Sequence, residues 1–247
     1  MGRGSLRVWN DDDIAPNTGF PPHPHANMEI ITYVREGAVT HKDSLGNQGR
    51  TEAGDVQVMS AGSGIRHAEY NLEHEPTRLF QIWITPKSNG GSPAWGSRPF
   101  PKANRSGRLV TLASGFDSDH DALPIRARAR VLGATLKVGE TVEYALGEQR
   151  HGYLVPAFGA VDVNGVRIDA RDGAAINDVA VVRNHGKRGF RARHGRRAVG
   201  QVDLITHKTI EEKIHVERAG SLLFCLRPYR SDGECGRRRG AADRCAC

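Results

Sequence analysis

Apolar and polar residues alternate in short runs through the first 85 residues, and Gly, Asn or Asp interrupts each run. Met28-Glu29-Ile30-Ile31-Thr32-Tyr33-Val34 is rich in β-branched and aromatic residues and ends at Arg35-Glu36-Gly37. Ala38-Val39-Thr40-His41 resumes the extended pattern before the turn-like Asp43-Ser44-Leu45-Gly46-Asn47. Val56-Gln57-Val58-Met59 alternates after Ala53-Gly54-Asp55, and Leu79-Phe80-Gln81-Ile82-Trp83-Ile84 alternates again before Pro86. Such spacing predicts short strands in a sandwich or barrel. No stretch up to residue 100 keeps a 3.6-residue apolar period, so no long helix is expected there.

Residues 86–106, dominated by Pro, Gly, Ser and Asn, read as a linker. A second β-rich region follows, with strand candidates at Arg130–Leu136, Glu143–Leu146, Gly152–Pro156 and Ala160–Val166. Asn164-Gly165 inside the last favours a two-residue hairpin turn, because both positions tolerate positive φ. Arg171-Asp172-Gly173-Ala174-Ala175-Ile176 echoes Glu52-Ala53-Gly54-Asp55-Val56, a faint sign of two copies of one β-unit. The expected division is 1–96, 105–182, and a tail over 183–247. Its flanks, around Asn184–Arg197 and Gly236–Cys247, are Arg- and Gly-rich, the composition GC-rich DNA gives when translated out of frame. That composition suggests a frameshifted or fused, disordered extension. Between the flanks, Val202–Thr206 reads as a strand and Thr209–Ile214 as a short helix.

Charge sharpens this division. The chain carries +7 overall, but residues 183–247 hold 16 Lys+Arg against 7 Asp+Glu. Basicity therefore belongs to the tail, and binding of nucleic acid is weakly suggested there alone. All four cysteines, Cys225, Cys235, Cys245 and Cys247, sit in the same tail and match no paired zinc spacing. No apolar run is long enough to cross a membrane. The N-terminus has no apolar signal core, so a cytoplasmic location is the default.

Two short runs carry the chemistry: His23-Pro24-His25 and His67-Ala68-Glu69. In a strand, residues i and i+2 share a face. Two such strands facing each other would form a cage of three histidines and one carboxylate. Imidazole with carboxylate suits iron, manganese, nickel, copper or zinc. One His-x-His alone reads better as surface loop histidines; two pairs together favour the cage. Gly19-Phe20-Pro21-Pro22 reads as a rigid turn aiming the first pair, and Gly62-Ser63-Gly64 as a backbone passing close to the second. Glu29 is expected behind the ligands, with Asn71 the next polar candidate. His41 and His74, beside turn or charged sequence, are expected in solvent. The second β-unit has no His-x-His and is expected to be metal-free. No P-loop, nucleophile elbow or dinucleotide fingerprint is present.

Gly19–Val34 resembles the first cupin motif of the pirin family, and Met59–Asn71 its second; Leu6–Asp12 and Gln81–Ile84 are similar as well. The resemblance implies an all-β bicupin, two jelly-roll β-barrels, followed by an irregular or partly helical tail. It implies metal ligands His23, His25, His67 and Glu69, with Fe(2+) as the ion. It also implies a quercetin 2,3-dioxygenase-like activity on a flavonol; a metal-binding regulator that captures a protein partner is the alternative. Glu69, as the one carboxylate ligand, is expected to move the substrate proton. Pirins carry more chain ahead of the stretch matching Leu6-Arg7-Val8, so an unpaired edge in the first barrel is expected. The family's closing strand has no match after Val181. Gly200–Ile214 is faintly similar to SNF2-type helicases but lacks nucleotide-binding motifs.

Overall fold

The computed structural model describes residues 4–100, 102–147, 150–187, 200–208 and 215–217. The first unit contains β1 (Leu6–Ile14), β2 (Thr18–His25), β3 (Glu29–Glu36), β4 (Ala38–Asp43), β5 (Gln48–Glu52), β6 (Val56–Ser60), β7 (Ile65–Asn71), β8 (Thr77–Ile84) and β9 (Ala94–Arg98). They form two sheets, ordered β1-β8-β3-β6-β9 and β2-β7-β4-β5. β1 lies at the edge of the larger sheet, where Asp11, Asp12 and Asp13 put charge on a strand that could otherwise template association.

The second unit contains β10 (Val110–Ser114), β11 (Leu123–Pro124), β12 (Arg130–Leu136), β13 (Thr141–Ala145), β14 (Arg150–Pro156), β15 (Ala160–Val163), β16 (Val166–Asp169), β17 (Gly173–Ile176), β18 (Val181–Lys187), β19 (Gly200–Lys208) and β20 (His215–Glu217). Its sheets run β11-β10-β12-β19-β14-β17-β20 and β13-β18-β15-β16. The chain is thus an all-β bicupin. Among the described residues each unit is two apposed sheets rather than one closed barrel. Asn164 and Gly165 both take positive φ, 49° and 88°, as the hairpin between β15 and β16 demands.

β3 is buried on both faces, because its sheet is sandwiched between two cores. Ile31 and Tyr33, with Val56, Phe80 and Ile82, pack on Leu112, Ile125, Val131 and Val155 of the second unit. One apolar cluster therefore joins the units. The opposite face of the same sheet looks into the first sandwich and is layered. Paired positions give an apolar row Trp83–Ile30–Met59, a polar row Gln81–Thr32–Gln57, and a second apolar pair, Val34–Leu79. The apolar core cluster of the second sandwich is built from Leu132, Leu154, Val161, Ile168, Ile176 and Val182.

Several expectations need adjustment. The linker read over 86–106 contains β9 and a 3-10 turn at Lys102–Arg105; β9 completes the first sheet beside β6. Gly19–Pro22 belongs to a strand rather than a turn, with a register shift between Phe20 and His23. That irregularity at Pro21-Pro22 lets Phe20, paired with Glu69, and His23, paired with His67, share the inner face. Val202–Thr206 lies within β19, whose backbone pairs with β12 and β14 along its length. The helix read at Thr209–Ile214 and the cysteine-bearing end lie outside the described residues. Among the described residues no helix is long and apolar enough to cross a membrane.

Candidate metal centre

β7 is the hinge of the site. It carries His67 and Glu69 at i and i+2 on the inner face, with β2 on one side and β4 on the other. The two motif strands therefore lie side by side in one sheet; they do not face each other across the sandwich. β2 delivers His23 opposite His67 and His25 opposite Ile65. Ring centroids are 4.8 Å apart for His23–His25, 4.5 Å for His23–His67 and 5.1 Å for His25–His67. One ligand atom from each of the three lies within 4.8 Å of the others.

Each imidazole is set for a definite role. His23 Nδ1 lies 2.7 Å from the Pro21 carbonyl, so Nδ1–H donates there and Nε2 keeps its lone pair. His25 stands edge-on to Trp83, with centroids 5.0 Å apart. Burial pushes the His25 pKa down to about 4, and the neighbouring His23 adds to this. Burial pushes His67 further, to about 3, with His23, His25 and His41 acting in the same direction. Both rings are therefore neutral over the ordinary pH range, the form that binds metal. His25 Nε2 and both ring nitrogens of His67 are buried without a hydrogen-bond partner. Buried polar atoms are nearly always paired, so these orphaned nitrogens fit a bound cation.

Glu69 lies deeper, only 1% exposed. Its carboxylate meets the polar row of the opposite sheet. Gln81 Nε2 donates to Oε2 at 2.8 Å, Thr32 Oγ1 is 3.5 Å from Oε1, and Gln57 Nε2 also donates to Oε1. Burial raises its pKa to about 7 and Asp12 adds to the rise, against the pull of these hydrogen bonds. Glu69 shares a close group with His67 and His41, not with His23 and His25. Gly19 is required beside it: a Cβ there would sit 2.1 Å from the Glu69 carbonyl oxygen. An open pocket of about 480 Å³ adjoins the site at His25 and is also lined by Pro24, Ala26, Ser44, Gly64, Ile65 and Arg66.

Four expected placements change. His41 is fully buried, not solvated, and stacks on Trp95 at 4.8 Å and 7°. The neighbouring Lys42 and turn suggest a surface position, and only pairing with β7 turns His41 inward. Glu29 is not behind the ligands: β3 lies in the other sheet, and Glu29 accepts from Ser60 Oγ at 2.5 Å and Arg126 N at 3.1 Å. Asn71 braces a turn, donating to the carbonyls of Ile14 and Glu75 at 2.8 and 2.9 Å. Gly62 packs against the Gly91 backbone, where a Cβ would come within 2.4 Å, rather than lining the cavity. His74 is exposed as expected. Gln57, Gln81 and Thr32 were missed, though each is a polar residue at an inward position of its strand.

The fold and the cavity together define a bicupin with a histidine- and carboxylate-lined chamber in its first unit. Residues 1–84 match the Pirin family pattern, and residues 111–191 match the quercetinase C-terminal cupin domain. A pirin-like protein of Caulobacter vibrioides is 76% identical over 182 residues, covering 74% of this chain and 78% of that one. A quercetin 2,3-dioxygenase of Escherichia coli is 39% identical over 186 residues, covering 75% and 79%. The crystal structure of YhhW from Escherichia coli superposes with a TM-score of 0.77 at 34% identity, covering 86% of each chain. The bacterial pirin YhhW in complex with nickel(II) gives 0.75 at the same identity, covering 85% of each chain. The chain belongs to the pirin family.

Proposed function

We propose that this chain is a metal-dependent dioxygenase that cleaves a flavonol such as quercetin with dioxygen. The observation that carries the reading is the set of partnerless buried nitrogens on His25 and His67, converging with His23, with His25 also lining an open pocket. His23, His25, His67 and Glu69 would hold the ion, with iron(II) preferred and nickel(II), the ion in the YhhW complex, a competitor. When bound, the ion supplies Lewis acidity toward the substrate's hydroxyl-ketone oxygens and redox capacity toward dioxygen. The neighbouring Escherichia coli quercetin 2,3-dioxygenase supports the substrate class.

The chain's own residues supply the rest. The pocket volume falls within the range for small-molecule sites, roughly 300–1,000 Å³. Pro24 and Ile65 offer an apolar wall to an aromatic ring, and Arg66 places positive charge at the rim. Glu69, the one carboxylate among these residues, takes the substrate hydroxyl proton. Gln57, Gln81 and Thr32 hold its oxygens in place during the transfer. The second unit buttresses the inner sheet through the shared apolar cluster. The test is oxygen and quercetin consumption by iron-loaded protein. Full iron occupancy without loss of either would defeat the reading; metal-dependent capture of a protein partner under those conditions would favour the regulator.

A further inference from the structure

His41 takes no part in the reading above, yet it is the most enclosed histidine of the cavity. It sits on β4 directly across from Glu69 on β7, and its ring centroid is 5.3 Å from that of His67. Its two nitrogens meet different surroundings. Nε2 is 3.1 Å from Asp43 Oδ2. Asp43 is itself fixed by Leu45 N, Asn47 N and Asn47 Nδ2 at 2.9, 3.1 and 2.9 Å. A carboxylate held this way accepts Nε2–H and leaves the lone pair on Nδ1. Nδ1 is buried and has no hydrogen-bond partner. Stacking on Trp95 locks the ring plane. A carboxylate orienting a histidine whose other nitrogen is bare is the outer support that metal-bound imidazoles use.

We propose that His41, His67 and Glu69 form a second, inner cation position in this cavity, sharing His67 with the outer trio. One ligand atom of each of the three lies within 4.8 Å of the others, and all three side chains are buried. Two imidazoles and one carboxylate are the donor set that suits iron(II) with open coordination positions. The outer trio offers nitrogen alone. The inference rests on the cavity being a metal site and adds His41, oriented by Asp43, to its ligands.

Anaerobic cobalt(II) titration of the full chain, read by the visible spectrum and by equilibrium dialysis, tests it. Removing the outer pair with His23→Ala/His25→Ala should weaken cobalt binding without abolishing it. Adding His41→Gln should then abolish binding. His41→Gln alone should shift the cobalt spectrum of the otherwise intact site. If the double variant is folded and binds no cobalt, or if adding His41→Gln changes nothing, the inner position is overturned and the outer site stands. If the wild-type chain binds no cobalt, the metal reading itself falls with it. Should the double variant not fold, His25→Ala against His25→Ala/His41→Gln decides the same point. The second must then bind at least tenfold more weakly than the first.

Discussion

Glu69→Gln isolates the electrostatic cost built into the cavity. In the metal-free protein the Glu69 carboxyl titrates near 7 rather than at its ordinary 4.5, chiefly because it is buried. The unfolded chain releases that proton near 4.5. Between these values the folded state holds a proton the unfolded state has lost, so stability falls as pH rises through the window. At about 1.4 kcal/mol per tenfold change in protonation, the loss is about 3 kcal/mol. Glutamine does not titrate. It does place an amide N–H where Gln57 and Gln81 already donate, an offset of about 1–3 kcal/mol that is the same at every pH. The difference between wild type and variant should therefore move by about 3 kcal/mol from pH 4.5 to 8, in favour of the variant. The histidines titrate in both proteins and largely cancel in the difference. Urea denaturation in the presence of a chelator measures it. Parallel stability curves would refute the buried-carboxylate argument.

Metal should reverse the sign of that dependence. Binding requires ionised Glu69 and neutral histidines, so the rise in melting temperature on adding iron(II) or nickel(II) should be full above pH 7 and fade below it; a pH-independent rise would contradict this. His25→Ala should lower metal content and quercetin turnover together while leaving the chelated protein's melting temperature within a few degrees, as metal analysis and calorimetry will show. Ile31→Ala, in the cluster joining the units, should cost about 2–5 kcal/mol in denaturant unfolding. Asp11→Ala strands the buried Arg35, which pairs with Asp11 and lies 4.6 Å over Phe80, and should cost about 3 kcal/mol. The same change frees Arg171 of the second unit, so limited proteolysis between the units should accelerate.

The two i, i+2 motifs were legible because strand alternation alone puts their side chains on one face. That His67 lies directly across from His23 is a matter of register, and register depends on the irregularity at Pro21-Pro22. Nothing local to Phe20 reveals that its strand skips a beat. His41 was misjudged for the same reason: beside Lys42 and a turn it reads as surface, and only pairing with β7 turns it inward. Glu29 failed differently. Asn27, at φ 53°, breaks the strand after His25, so the face shared by His25 and Glu29 in a regular strand does not exist. β9 escaped notice because Trp95 is the one large apolar residue in a Gly- and Ser-rich stretch.

The polar row gives the first unit's chamber its carboxylate-holding floor. Thr32, Gln57 and Gln81 occupy central inward positions of the first unit's larger sheet. Buried amides and hydroxyls need partners, and the row finds them. Gln57 Oε1 accepts from Thr51 and Gln81 Oε1 from Trp83, each at 2.8–2.9 Å, which turns both amide N–H groups toward Glu69. A buried carboxylate with no donors would protonate or drive the fold apart. Row and carboxylate thus satisfy one another, and apolar layers flank them on either side, Ile30–Met59–Ile65 and Val34–Val39–Leu79. The cost that remains is concentrated in bare imidazole nitrogens and a reluctant carboxylate on one strand. A divalent cation would relieve both at once, so the features that cost the cavity stability are the same features that would hold a metal.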